Sequence, residues 1–252
     1  MSIHPTAVIE TGAVIGAGCV IHAHAMIKRH AVLEDGVVVH SYAVIGDDPQ
    51  DLSFKTESDS SVRIGARTVI REFVTVHRST RAGAATVVGA DCYLMTAVHI
   101  GHDCQVAERV VIASSVLLAG HIQVGPHVFI GGGAAFHQFC RIGEGAMIGG
   151  LARITRDVPP FTMATERDEL IGLNKVGLRR RGVKAEAMAE IKEAFRVVCA
   201  PTGNAKALAA DALATNQFHT AEAQRFLQFF TAGRRGFLRR RDRHHSSDDA
   251  AE

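Results

Sequence analysis

The chain has 252 residues, 47% of them hydrophobic and 21% charged, and a formal net charge of +2 with histidine neutral. That composition is ordinary for a soluble globular protein, and no stretch approaches the roughly 20 consecutive apolar residues that a spanning helix requires. Five cysteines, an odd number with no C-x-x-C pair, argue against a disulfide framework or a zinc ribbon and point to reduced thiols.

The first segment, "MSIHPTAVIE", lacks a basic start followed by an apolar stretch, so the chain is expected to be unsecreted and cytoplasmic. From residue 7 it reads AVIETG, AVIGAG, CVIHAH, AMIKRH, AVLEDG, VVVHSY, AVIGDD, which places an aliphatic residue at Ile9, Ile15, Ile21, Ile27, Leu33, Val39 and Ile45. A period of six fits no α-helix, whereas it suits a parallel β-helix built of hexapeptides, in which three flat sides close one coil of 18 residues. Two insertions break the register, "PQDLSFKTESDSS" at 49–61 and "RSTRAGAAT" at 78–86. Loops thrown out of a repetitive stack are places where binding groups can sit. Between and after them the hexads return, with Ile64, Ile70 and Val76, and then without a slip from Val88 to Ile154. About 7.5 coils follow, a prism roughly 36 Å tall.

Past "RDVPPF" the hexads stop. The spacing of Met188, Ile191, Phe195 and Val198 predicts an amphipathic helix, and "AKALAADALAT" and "AEAQRFLQFFTAG" read as further short helices. The expected organisation is a β-helical unit over 1–160, a small α-helical domain over 161–243, and a disordered tail at 244–252. Arginines concentrate in "RRR" at 179–181 and "RRGFLRRRDRHH" at 234–245, a solvated face or a dock for an acidic partner. Nucleic acid is a poor candidate, because no recognised module or interleaved aromatics accompany these charges.

With an 18-residue coil, His102, His121 and His137 fall within one residue of a single column on three successive coils, and His99 lies half a side from His102. Neutral imidazoles so placed could hold zinc, as in a γ-type carbonic anhydrase of the same architecture. They could equally supply a general base, since imidazole titrates near neutral pH. Asp103 is the nearest group able to orient such a base, although adjacent side chains on a strand point apart and only a bend would let the two cooperate. Cys104 and Cys140, two coils apart in register, are expected to pack as small apolar side chains.

"HPTAVIE", "PQDL", "IRE" followed by "VTVHR", "LMTAVHIGHDC", "LAGH", "AAFHQFC", "RDVPPF" and "GLRRRG" occur in an order and spacing that resemble the UDP-N-acetylglucosamine O-acyltransferases, the enzymes that begin lipid A synthesis. The resemblance covers residues 4 to about 240. It implies a left-handed prism, an exception to the usual crossover hand, and a homotrimer with sites in the clefts between neighbours. It implies that His102 is the general base for attack of a sugar 3-hydroxyl on a (3R)-hydroxyacyl thioester of acyl carrier protein, and that the backbone N–H of Gly120 receives the oxyanion. It implies that Gln50, Asp51, His99, His121, His137 and Gln138 position sugar nucleotide or acyl chain, and that Asn174, Arg180 and Arg181 hold the nucleotide, arginine forks suiting diphosphate. Met147 and Gly150 fall where such enzymes measure the acyl chain, with glycine leaving room for a long one. No metal and no cofactor are implied. Ser53 stands where lysine is usual and Val176 where an acidic residue is usual, which leaves open a related UDP-amino sugar as acceptor or a paralogue that only binds the carrier.

Overall fold

Each hexad becomes a strand of about two residues followed by a tight turn, because one inward aliphatic per side is all that a narrow prism can bury. A computed structural model describes residues 1–199 and 203–239. Its strands form three sheets of ten, eight and seven members among the described residues, each taking every third strand in parallel as far as residue 154. The winding is left-handed. Ser2 pairs with Val20 and Val14 with Val32, one coil of 18 residues apart, while Val38 pairs with Val69 and Thr75 with His99 across the two insertions. The inward column Ile21, Ile27, Leu33, Val39 and Ile45 is buried, as are Leu94, Ile100, Val106, Ile112 and Leu118 higher up. All five cysteines are buried and none forms a disulfide, and Cys104 Sγ donates to the Ala119 carbonyl at 3.1 Å.

The corners carry the strain. One residue of most turns enters the left-handed region: at one edge His24, Tyr42, Phe73, Ala97 and Ser115 have φ of 61°, 62°, 60°, 59° and 60°. Such a conformation costs a non-glycine residue about 1–2 kcal/mol, and the stacked hydrogen bonds of the coils above and below hold it. The insertions are slightly shorter than the sequence suggests: Ser61–Ile64 and Ala85–Val88 are already strands, paired with one another.

The prism does not end at residue 160. Thr162–Thr165 continues the ten-stranded sheet parallel to Met147–Ile148, and Glu169–Leu173 folds back antiparallel upon it. The helical domain expected from 161 therefore begins with strands. The hexad count misses this because Met147 pairs with Met163, so the coil is shortened by two residues. Helices follow: α1 (Lys175–Arg180), α2 (Ala185–Val198), α3 (Ala205–Ala214) and α4 (Ala221–Gln228). The buried stripe of α2 contains Ile191, Phe195 and Val198 together with Ala187 and Ala194. Arg141 ties the helices to the prism, since it is paired with buried Asp157 at 2.8 Å, donates to the carbonyls of Phe229 and Ala232, and lies 4.2 Å over the Phe229 ring. The expected tail at 244–252 lies outside the described residues.

No described helix is long and apolar enough to cross a membrane. The inward column is the source of stability, so Ile112→Ala, in the middle of the stack, is expected to lower unfolding free energy by about 2–5 kcal/mol in chemical denaturation.

Candidate active site

His102 and Asp103 occupy the corner between the eight-stranded and seven-stranded sheets. Asp103 takes φ 60°, the bend that turns its side chain toward its neighbour. His102 Nδ1 and Asp103 Oδ2 are 2.9 Å apart. Asp103 also accepts from Thr80 Oγ1 at 2.7 Å, from the Thr80 N–H at 3.2 Å and from the Ser79 hydroxyl, all on the second insertion. Burial by itself would raise the Asp103 carboxyl, but these hydrogen bonds, that from His102 foremost, outweigh it and hold the group far below the usual carboxylate range. An ionised carboxylate only accepts, so Nδ1 of His102 carries a proton, and in the neutral ring Nε2 is the acceptor.

That Nε2 lies against Gly120, one coil above. A Cβ on Gly120 would come within 2.6 Å of Nε2 and 3.0 Å of Nδ1, so the imidazole occupies space that any other residue would fill. The Gly120 N–H makes no hydrogen bond among the described residues. Gln50, His77, His99, His102, Gly120 and Gln138 line a cleft of about 630 Å³, with Leu117 and Phe136 on its apolar side.

Two further imidazoles sit in this cleft. His99 shares a 2.8 Å hydrogen bond with Thr75 Oγ1, and burial, then the nearby His77 and His102, push its pKa down to about 4, leaving it neutral at physiological pH. His77, 8% exposed, is hydrogen-bonded through Nδ1 to the Asp48 carbonyl, and its ring meets that of His99 at 5.2 Å. A carbonyl only accepts, so Nδ1 of His77 carries a proton. Sequence reasoning passed over His77 although "VTVHR" contains it. The signal was there, since Thr75 pairs with His99 and Val76 with Ile100, which puts His77 one coil below Gly101, next to His102. Arg78 was missed too; it is 1% exposed and binds Asp48 and the carbonyls of Thr56 and Ser58, which clamps the first insertion beside the cleft.

The remaining predicted residues divide. His121 is at the corner with His102, ring to ring at 5.0 Å, its Nε2 3.8 Å from Asp103 and its other face stacked on Phe139 at 4.5 Å. His137 does not join them: it is exposed, its Nδ1 within 3.3 Å of the Gln138 carbonyl, and it is Gln138 that reaches the cleft. The coil register accounts for the offset, for 102, 120 and 138 form one column and 103, 121 and 139 the next, while 137 falls one place earlier, in the column of 101 and 119. Asp51 accepts from the backbone N–H and hydroxyl of Ser53, so the serine found where lysine is usual closes a local turn.

Asn174, Arg180, Arg181 and Met147 lie elsewhere, around a second cavity of about 550 Å³ on the ten-stranded sheet, with Val176 at its rim. Asn174 caps α1 by accepting from the Gly177 N–H at 2.9 Å, and Arg181 is paired with Glu144, which Arg225 also holds at 2.7 Å. Gly150 is exposed at the next corner, beside the Gly132 carbonyl.

Comparison with known proteins gives this arrangement a family. Residues 157–238 match the family model described as UDP-N-acetylglucosamine O-acyltransferase, domain 2. An acyl-[acyl-carrier-protein]–UDP-N-acetylglucosamine O-acyltransferase of Anaeromyxobacter sp. (strain K) is 36% identical over 260 residues, covering 95% of this chain and 100% of the relative. The protein of the same name from Campylobacter lari is 42% identical over 204 residues, 73% of this chain and 78% of the relative. This chain belongs to that family. It is therefore an acyltransferase. The solved UDP-N-acetylglucosamine acyltransferase of Campylobacter jejuni superposes with a TM-score of 0.83 at 32% identity, over 95% of this chain and 100% of that one. The Bacteroides fragilis structure gives a TM-score of 0.84 at 32% identity, over 94% and 100%.

Within this acyltransferase the contact between His102 and Gly120 leaves no room for a side chain. Gly120→Ala is expected to displace the imidazole and lower kcat/KM at least about 100-fold, with the melting temperature close to that of the parent; an acyl-transfer assay beside a thermal melt checks both.

Proposed function

We propose that the protein transfers a (3R)-hydroxyacyl group from acyl carrier protein to the 3-hydroxyl of UDP-N-acetylglucosamine, the first step of lipid A synthesis, with His102 as general base. The observation that carries this reading is the His102–Asp103 pair, which fixes the tautomer and aims a bare Nε2 into the cleft beside Gly120. Nε2 takes the hydroxyl proton as the sugar oxygen attacks the thioester carbonyl. The tetrahedral oxyanion is received by the Gly120 N–H. Collapse breaks the C–S bond, and the imidazolium returns its proton to the departing thiolate. Asp103 stays ionised and steadies the transient imidazolium. Gln50, Asp51, His99, His121 and Gln138 are the positioning groups in this proposal, and Asn174, Arg180 and Arg181 hold the nucleotide.

The histidine cleft and the arginine cavity lie on different sheets of one prism. A homotrimer, in which the arginine cavity of one copy faces the histidine cleft of the next, would complete the site. The exposed arginines 179, 180 and 234 suit docking of the acidic carrier protein; residues 240–245 of the arginine-rich segment lie outside the described residues.

A zinc-dependent reading has one observation in its favour: His102, Asp103 and His121 offer ligand atoms within 4.8 Å of one another. Those atoms are already engaged, Asp103 with Ser79, Thr80 and His102, which favours acyl transfer. Stoichiometric zinc required for activity would reverse the order.

Incubating the pure protein with hydroxyacyl carrier protein and UDP-N-acetylglucosamine is expected to yield the 3-O-acyl product, and His102→Ala to lower turnover about 10²–10⁴-fold with folding retained. Wild-type-like turnover by that variant removes the base assignment. Gly150 leaves the corner without a side chain, so competition among acyl donors of about 10 to 16 carbons is expected to favour the longer ones; preference for the shortest would refute a measuring role at this position.

A further inference from the structure

The corner between the seven-stranded and ten-stranded sheets carries Arg109, His127 and Gly145 on three successive coils, with φ of 56°, 59° and 63°. Their stacking follows from the coil hydrogen bonds, the His127 N–H to the Glu108 carbonyl and the Gly145 N–H to the Pro126 carbonyl. At the third step the side chain is missing, and Arg181 fills the space: a Cβ on Gly145 would overlap Arg181 Nη1. Phe161 supports the guanidinium 5.6 Å from its ring centroid and Glu144 pairs with its other nitrogen. Arg109, His127 and the borrowed Arg181 thus form a vertical ladder with steps of about 4.8 Å.

Asp91 stands one step below Arg109, but Arg67 binds both of its carboxylate oxygens, which leaves the ladder short of negative charge. Arg181 Nη1 is buried without a hydrogen-bond partner. Arg109 and Arg180, which face the same cavity, make no side-chain hydrogen bond or ion pair among the described residues. Around His127 stand Arg181 and Arg109 on one side of the balance and Glu144 and Glu108 on the other, but Glu144 is already shared between Arg181 and Arg225. A buried guanidinium nitrogen without an acceptor requires explanation, and an anion bridging the steps supplies one.

We propose that Arg109 and His127, with Arg181, bind a phosphodiester of a substrate, and that His127 takes up a proton as the anion enters. The inference rests on the function proposed above for Arg180 and Arg181 and adds two residues that the motif resemblance does not name. Without ligand, burial and then Arg181 and Arg109 hold the His127 imidazole below its usual pKa. A bound anion offsets those cations and raises it. Affinity is therefore greatest where His127 is protonated and falls as pH rises through its bound-state pKa.

Both proposed substrates carry such a group, the UDP-sugar in its diphosphate and the carrier protein in its phosphopantetheine arm, and neither phosphodiester titrates near neutrality. Calorimetric titration of the full chain with UDP-N-acetylglucosamine and separately with holo acyl carrier protein, in two buffers of different ionisation enthalpy, measures protons taken up. One of the two is expected to bind with proton uptake, which names the source, and to bind several-fold more weakly at about pH 8 than at about pH 6. His127→Asn, which tolerates the left-handed corner, is expected to abolish uptake, and Arg109→Gln to weaken the same ligand about tenfold. Absence of uptake with both ligands, or undiminished uptake in His127→Asn, overturns the proposal. The readout is binding without turnover, so it stands apart from the assignment of His102 as base.

Discussion

The left-handed corner governs this molecule. A two-residue strand buries one aliphatic side chain and cannot persist alone; it exists because a turn near φ +60° returns the chain to the same place 18 residues later, where the next strand's hydrogen bonds are waiting. Cooperation between coils holds a backbone conformation that most side chains resist. In return, every corner becomes a column whose residues are placed by the repeat itself and not by flexible loops. Rigid placement is what acid–base chemistry needs.

At one corner the bend has a chemical consequence. Two adjacent residues, His102 and Asp103, would face opposite sides of a strand, but the left-handed step brings carboxylate and imidazole to 2.9 Å. The column relation then brings Gly120, one coil above, against the ring, and the second insertion folds over Asp103 with the Ser79 and Thr80 hydroxyls. The insertion contributes no group to the cleft there; its hydrogen bonds keep Asp103 ionised against the burial that the corner imposes. The first insertion is held by Arg78, whose buried guanidinium is satisfied by Asp48 and two backbone carbonyls.

The helical part is coupled to the same repeat. Arg141 and Asp157 fasten the Phe229 and Ala232 carbonyls to the last complete coil, while Glu144 gathers Arg181 and Arg225 onto the next corner. These ties put the α1 arginines over the ten-stranded sheet, away from the histidine cleft. The acyltransferase family to which the chain belongs fits this division of labour between prism and helices.

The hexad period by itself determined the prism, the inward aliphatic columns and the 18-residue coil, because a repeat that places one apolar residue per side has a single way to bury them all. It also put His102 and His121 close together, and the motif resemblance supplied the family. What the sequence left undecided was everything that depends on a few residues more or less: His137 is separated from its expected partners by a one-place offset, the strand at 162–165 was hidden by a coil two residues short, and His77 was obscured by an insertion. Only the tertiary structure decided that neighbours 102 and 103 meet, that Gly120 makes room for the ring, and that Gly145 leaves its place to an arginine 36 positions away. Periodicity fixes where a backbone passes. The direction of a side chain at a corner depends on a single dihedral angle and on which neighbour has vacated the space, and neither is written in the spacing.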